Sequence, residues 1–310
     1  MNNPLVSILM NCFNCQNYLE EAIKSVLNQT YQNWEIIFWD NQSTDRSKKI
    51  FKSFKDKRLK YFISKEHTDL GHARSQAFHH LNGDFIAVLD ADDLWLPSKL
   101  ENQIKKFSDP EVGIVISDTY FFNEFDSRLL YNGKYPHTGW VSNELISNYY
   151  VSLETILLRK SMIDKLDYAF DPEFSYIADF DLIFRLSEIS KLEICEEPLA
   201  KWRVHGSSDS WKSNVSFPIE KEKWLKKQKN IDSNFLGKYS MAINKLHSKN
   251  SMLISIDFLS KQRRFDALKY IMKTQFKDWR NYAVLSLCFL PFSPGLMRYL
   301  QRRRIKNLLR

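Results

Sequence analysis

LVSILMNCFNCQNYLEEAIKSVLNQTYQNWEIIFWD, residues 5–40, reads as strand, helix, strand. Leu5 to Met10 is an unbroken apolar run, the pattern of a strand covered on both faces. Tyr18, Leu19, Ala22, Ile23, Val26 and Leu27 then recur at helical spacing. Glu20 and Glu21 stand early in that helix, where the backbone dipole favours acids. Trp34 to Trp39 is the second strand. Two strands around a crossover helix form the repeating unit of a parallel α/β sheet.

The alternation continues outward. Thr44 to Phe54 is expected to be helical, with Ile50, Phe51 and Phe54 on one face; Leu59 to Ile63 a strand; His72 to Leu81 a helix; Phe85 to Leu89 a strand. Pro97 sits near the first turn of a helix to about Lys106, and Val112 to Ile116 is a fifth strand. From Thr119 to about Tyr150 the pattern breaks, and an irregular insert is expected. Thr155 to Leu158 reads as a strand and Asp179 to Ser190 as a helix. The expected class is α/β, a mostly parallel, Rossmann-like sheet flanked by helices, followed by a basic helical extension.

Composition narrows the function classes. The 310 residues suit about two domains, and 44% hydrophobic with 26% charged residues exclude a disordered, collagenous or multi-span membrane chain. Eight glycines argue against a binder built on repeated glycine-rich nucleotide loops. Four cysteines are too few for a disulfide scaffold and fit a reducing compartment. Cys12 and Cys15 have CxxC spacing, but no second such pair completes a zinc site, so the spacing reads as coincidence. His67, His72, His79 and His80 are scattered, without a metal-ligand pattern.

The net charge of +8 is unevenly spread. Residues 211–310 hold 22 Lys+Arg against 6 Asp+Glu, and the first 210 residues hold 23 against 31. A boundary near residue 212 follows, with 1–212 as the α/β domain (1–105 and 106–212 its halves) and 213–310 as the extension. Lys221 to Lys229 carries five lysines and Arg302 to Arg310 five basic residues, with Trp224, Trp279 and the uncharged stretch 281–297 between them. That stretch is short for a membrane span and is broken by Pro291, Pro294 and Gly295. Basic residues beside apolar segments suit an anionic membrane surface. A solvated bundle with one basic face is the plainer alternative. No recognition motif accompanies the charge, so nucleic acid is not expected as a partner. The start of the chain has no basic segment before its short apolar run, so no secretory leader is expected, and a cytoplasmic protein lying on the inner face of the cell membrane is.

In parallel sheets, ligands bind where strands end. Four polar clusters stand there: Asn11; Asp40 to Asp45; Asp69 to Arg74; and Asp90-Ala91-Asp92-Asp93. Asx residues at such turns also serve as helix caps, which is an open reading for Asp45. Three carboxylates in four residues repel one another unless a cation or helix start relieves them. Closely spaced Asp suit Mg²⁺ or Mn²⁺ held together with substrate phosphates, while a solvated capping turn remains the alternative.

VSILMN, IIFWDNQSTD, LGHAR, GDFIAVLDADDLWLP, IADFDLIFRL and WRVHGSS occur in an order and spacing that resembles family 2 glycosyltransferases of the GT-A fold, over about residues 4–210. The resemblance implies a nucleotide-diphospho-sugar donor held by Asn11, Asp40, Asn41, Arg74, Asp90, Ala91 and Trp95. Asp40-Asn41 stands for the family's Asp-Asp pair and Gln42 for its usual Gly; Asn41 keeps a carbonyl acceptor for a uracil or thymine base, so a UDP- or dTDP-sugar is implied. Asp90-Ala91-Asp92 matches the DXD motif, with Asp92 and His205 as ligands of Mg²⁺ or Mn²⁺. Trp95 would wall the sugar pocket, or else pack in the core. Asp93 would cap the helix containing Pro97.

Asp179 matches the family's general base, with Ala178 where an acid often precedes it. Asp181 reads as structural, paired with Arg185 four residues on. An inverting displacement is implied, with a glycan or lipid-linked acceptor in cell-surface polysaccharide synthesis. A sugar-phosphate nucleotidyltransferase is a rival, but such enzymes carry a glycine-rich basic loop where this chain has Asn11-Cys12-Phe13-Asn14. A non-catalytic binding protein is a second rival, against which Asp90, Asp92, Asp179 and His205 stand.

Overall fold

The computed structural model describes residues 3–206, 215–274 and 279–289. Their contacts divide into two compact units, one of residues up to 142 with 150–204, the other of 143–149 with those from 205 on.

The first unit is built on one nine-stranded sheet. Strand β1 (Val6–Cys12) is buried at every position, as is β2 (Trp34–Asp40). Helix α1 (Leu19–Leu27) covers them with Leu19, Ala22, Ile23 and Val26, the residues its spacing singles out. Helix α2 (Ser47–Ser53), β3 (Leu59–Ile63), α3 (Leu70–Phe78) and β4 (Phe85–Val88) complete a parallel block in the order β3-β2-β1-β4. Helix α2 starts at Ser47 rather than Thr44 because Asp45 turns back, accepting a hydrogen bond from the Ser47 amide at 2.9 Å.

Beyond β4 the pairing becomes mixed. After β5 (Leu94–Trp95) and α4 (Lys99–Lys105), β6 runs from Val112 to Phe122 and turns into β7 (Ser127–Leu129). The break expected at Thr119 therefore comes four residues later. Helix α5 (Ser142–Ser147) belongs mostly to the second unit. Strand β8 (Leu157–Arg159) lies antiparallel between β4 and β6, and α6 (Lys160–Ile163) follows it. Helix α7 (Ala178–Ser187) leads into β9 (Lys191–Arg203), which runs parallel to β6 and antiparallel to β5. Parallel order thus holds for β3-β2-β1-β4 and for β6 with β9, and antiparallel pairs join the rest.

Strand β9 carries Pro198, which cannot donate to a ladder. It stands opposite Asp118, where the register of β6 and β9 shifts. That irregularity turns the end of β9 across β5, so that Arg203 reaches the loop after β4.

The second unit is helical, with helices at Ser216–Ile231, Phe235–Lys238, Ser240–Ser260, Arg264–Ile271 and Trp279–Phe289. Leu259, Ala267, Ile271, Val284 and Cys288 form one core of it, and buried Trp224 meets Phe235 edge-on. Among the described residues no helix is long and apolar enough to cross a membrane. Residues 290–297 of the uncharged stretch and the basic run 302–310 lie outside the described residues.

Candidate active site

The turn after β2 is built by hydrogen bonds. Asp40, buried, accepts from the Ser43 amide at 2.7 Å and the Tyr61 hydroxyl at 2.6 Å. Asn41 is tied to the loop after β3: its carbonyl oxygen accepts from the Thr68 amide at 3.2 Å, and its amide donates to the Thr68 carbonyl at 2.7 Å. The same oxygen also accepts from the Ser64 and Thr68 hydroxyls, each at 3.4 Å. Gln42 has φ +67°, a left-handed conformation that glycine adopts without strain, and its side chain holds the carbonyl of Ser64. Gln42 thus holds a backbone conformation that glycine would adopt more readily.

Helix α3 starts on Asp69, whose carboxylate accepts from the His72 amide at 3.0 Å. Its third turn-facing residue of interest, Arg74, is almost fully buried and forks onto Asp90, with Nη2 at 2.8 and 3.0 Å from the two carboxylate oxygens. A guanidinium on this helix is therefore not a surface group. Burial pushes the Asp90 carboxyl up, Arg74 opposes this, and the charges of Asp92 and Asp179 add to the rise. Asp179, in the first turn of α7, thus shares an electrostatic site with the acids after β4.

Asp93 and Glu154 deepen that site. Burial raises both, Asp93 well above the usual carboxylate range, and the neighbouring acids Asp92, Glu154 and Asp90 push Asp93 further. Glu154 is held by the Ser152 hydroxyl, 2.8 and 2.7 Å from its two oxygens. Asp93 does not cap a helix: its carboxylate accepts from the Arg203 amide at 2.8 Å, and α4 opens on Ser98 instead. Arg203 Nε in turn donates to the Asp92 carbonyl at 2.8 Å, and Nη2 to Glu21 at 2.6 Å. Arg203 therefore pins the acidic loop from the far end of β9. Neither Glu154 nor this clamp is legible in the sequence, because each depends on strand pairing across the sheet.

Two expected donor contacts move to the interior. Ala91 packs in the main core, leaving only its backbone for a ligand. Trp95 is 3% exposed, and its indole donates to the Glu154 carbonyl at 2.8 Å. It belongs to the core, not to a pocket wall, because β5 is held down by β9. Asp181 is fully buried against Arg185 at 2.6 Å, the structural pairing its spacing suggests. His205 follows β9 by two residues and opens the second unit.

Some polar atoms here lack partners. Both side-chain ends of Asn11, and Nε of Arg74, are buried without a hydrogen-bond partner among the described residues. Buried polar groups are normally satisfied, so such a set fits a polar ligand. No three His, Cys, Asp or Glu side chains among the described residues group to hold a metal by themselves.

The family profile described as "Glycosyl transferase family 2" matches residues 7–166. The chain belongs to this glycosyltransferase family. An uncharacterised glycosyltransferase of Rickettsia typhi is 33% identical over 211 residues, 66% of this chain and just under two thirds (65%) of that relative. The Escherichia coli UDP-Glc:alpha-D-GlcNAc-diphosphoundecaprenol beta-1,3-glucosyltransferase WfgD is 28% identical over 211 residues, covering 68% of this chain and 81% of WfgD. Among solved structures, Staphylococcus aureus TarS with UDP-GlcNAc aligns at TM-score 0.63 and 14% identity, over 90% of this chain and 83% of that one. The mannosyltransferase PcManGT of Pyrobaculum calidifontis, with GDP-Man and Mn²⁺, aligns at 0.62 and 17%, over 98% and 87%. At these identities the two likenesses speak for the fold, which is GT-A.

Proposed function

We propose that this glycosyltransferase moves a sugar, with inversion, from a UDP- or dTDP-sugar to a hydroxyl of a glycan or lipid-linked acceptor. The observation that carries the reading is the Arg74–Asp90 fork at the end of the parallel block, together with the two buried, unpartnered side-chain ends of Asn11. Asn11 offers unpartnered donor and acceptor atoms to the nucleoside, with Asp40 and Asn41 framing the base. Arg74 orients Asp90 toward the ribose. Asp179 takes the proton from the acceptor hydroxyl, whose oxygen attacks the anomeric carbon opposite the diphosphate; the C–O bond to the diphosphate breaks as the new one forms. Asp92 would hold Mg²⁺ or Mn²⁺, which would supply charge neutralisation for the departing diphosphate. The lipid-diphosphate acceptor named for WfgD supports a lipid-linked acceptor here.

Asp179→Asn tests the base. Transfer should fall to background while nucleoside diphosphate binding, measured by calorimetry, stays unchanged; near wild-type turnover would show the base to be another group.

We also assign residues 1–212 to catalysis and 213–310 to holding the enzyme on the cytoplasmic face of an anionic membrane. The lysine-rich helix Ser216–Ile231 and exposed Trp279 and Phe289 support this. The full chain should float with anionic vesicles at low salt and be released at high salt; equal flotation with neutral vesicles, or none with anionic ones, refutes the assignment.

A further inference from the structure

We propose that a cavity between three helices of the second unit is a sugar-binding site, taking one saccharide unit of a glycan. The inference rests on the reading that the enzyme extends a glycan, and adds a second place at which that glycan is held. In the long helix Ser240–Ser260, Asn244, His247, Ser251 and Ile254 recur at three- and four-residue spacing and so share one face. A helix face set against neighbouring helices is normally apolar, yet three of these four residues are polar. Glu222, from the helix Ser216–Ile231, forms another wall. Tyr270, near the end of Arg264–Ile271, and Lys273, just beyond it, form the third. The cavity measures about 280 Å³. That is many times the ~30 Å³ share of one water and close to the lower bound of about 300 Å³ for small-molecule pockets.

The floor of the cavity is buried and its rim is open. Ser251 is 8% exposed and Ile254 4%, while Asn244 and Lys273 are exposed. The Ser251 hydroxyl, the Asn244 amide and the Tyr270 hydroxyl have no hydrogen-bond partner among the described residues. A buried hydroxyl is normally satisfied, so Ser251 marks the floor as a place for a polar ligand. Glu222 is fixed in advance: His247 Nδ1 lies 3.0 Å from its carboxylate, and the Asn250 amide donates to it at 2.8 Å. These two contacts leave part of the carboxylate's acceptor capacity, about four lone-pair positions, open to a ligand.

The chemistry of the walls selects the ligand. The Glu222 carboxylate opposes an anion and the Lys273 ammonium opposes a cation, so a neutral molecule is favoured. Lys273 Nζ stands 4.5 Å from the centre of the Tyr270 ring, which keeps it at the rim. Lys273 offers donors, Glu222 acceptors, and Asn244, Ser251 and Tyr270 both. That set matches a ligand whose own groups donate and accept at once. Ile254 adds an apolar patch beside them. A sugar ring has this pattern, with hydroxyls around its edge and C–H bonds on its face. A phosphate dianion has acceptors alone and would meet Glu222.

The test is saturation-transfer NMR on the full chain with glucose, galactose, mannose and N-acetylglucosamine in turn, with UDP and Mn²⁺ present to occupy the donor site. At least one sugar should receive saturation, with a Kd of about 1–10 mM. Ser251→Leu, which fills the floor, should abolish the signal. Asn244→Ala, at an exposed helical position, should weaken binding at least about threefold. UDP affinity should be unchanged in both variants. No saturation of any of the four sugars, a signal that either folded variant leaves unchanged, or displacement by inorganic phosphate at the sugar's own concentration overturns the proposal. Should Ser251→Leu fail to fold, Asn244→Ala decides alone. UDP binding is measured in the same samples. Sugar saturation without any UDP binding overturns the donor-site reading and leaves the cavity site standing; UDP binding without sugar saturation does the reverse.

Discussion

Arg203→Met is the sharpest probe of how the acidic loop is held. The substitution keeps the backbone bond from residue 203 to Asp93 and removes only what the guanidinium does. Three contributions are lost. The bond to the Asp92 carbonyl, from a charged donor on a side chain 15% exposed, contributes about 1.5 kcal/mol. The pair with Glu21 contributes no more than about 0.5 kcal/mol, because the Glu21 side chain is 60% exposed. The guanidinium also stands 4.6 Å from the Tyr18 ring and 4.7 Å from that of Phe122, worth about 0.5 kcal/mol, part of which a methionine retains. The sum is about 2–2.5 kcal/mol. At ~2–4 °C per kcal/mol for a unit of this size, the unfolding midpoint should drop by about 4–10 °C.

The functional loss should exceed this. With Nε gone, the Asp92 backbone is released, and misplacement of a catalytic group by ~1 Å costs about a hundredfold in rate. UDP affinity is therefore to be compared with and without Mn²⁺, well below the unfolding temperature. The Mn²⁺-dependent gain should shrink in Arg203→Met, with Arg203→Lys between it and wild type, since an ammonium satisfies Asp92 or Glu21 but lacks the fork that reaches both. A midpoint within 1 °C of wild type, with an unchanged Mn²⁺ effect, would refute the clamp.

Two further outcomes follow from single contacts. A Cβ at residue 71 would stand 1.8 Å from the Phe174 carbonyl oxygen, so Gly71→Ala must push α3 and the approach to α7 apart; stability should fall by more than about 3 kcal/mol in urea unfolding, and turnover should drop because Arg74 moves against Asp179. In the second unit, the Glu222 hydrogen bond at 3.0 Å raises His247, while bonds from His247 and Asn250 hold Glu222 down against its burial. A raised histidine stabilises most below its ordinary value of about 6.5 and stops doing so as pH rises through the raised value; a lowered carboxyl stabilises above its ordinary value and stops as pH falls through the lowered one. The pair should thus support the unit most between about pH 4.5 and 6.5, and His247→Gln should remove the decline in urea stability seen above that window.

What the sequence revealed follows from how far each residue's partner lies along the chain. Strands β1, β2 and β4 are covered on both faces, so their apolar runs are local facts and are readable. Strand β9 alternates charged residues with apolar ones and contains Pro198; it is a strand because β6 and β5 pair with it, and no window of sequence holds those partners. The site divides in the same way. Asp90 and Asp179 stand at the end of a strand and the start of a helix, positions that periodicity marks. Asp93 looks like a cap, since a helix follows it, yet its acceptor role is filled by a backbone amide 110 residues away. Trp95 looks like a pocket wall beside an acidic motif, yet β5 is drawn under β9. In both cases the local rule was sound, and a long-range contact outweighed it.

The balance of charge gives the acidic site its direction. Asp93 and Glu154 are buried, and burial drives both toward the neutral form, so they shape the loop more than they repel a ligand. Asp90 is answered by Arg74, and Arg203 is taken by Glu21 and the Asp92 carbonyl. Asp92 and Asp179, like Asp90, are half-buried. A nucleoside diphosphate is itself an anion; Arg74 commits Nη2 to Asp90 and leaves Nε without a partner among the described residues. In the proposed reading, Asp92 would hold a divalent cation whose charge offsets that of the diphosphate. Donor binding and metal binding should consequently be one event, each tightening the other by the same factor. Asp92→Asn should lower the Mn²⁺ dependence of UDP binding more than it lowers binding without metal, because it removes a carboxylate that repels the diphosphate as well as one that holds the ion.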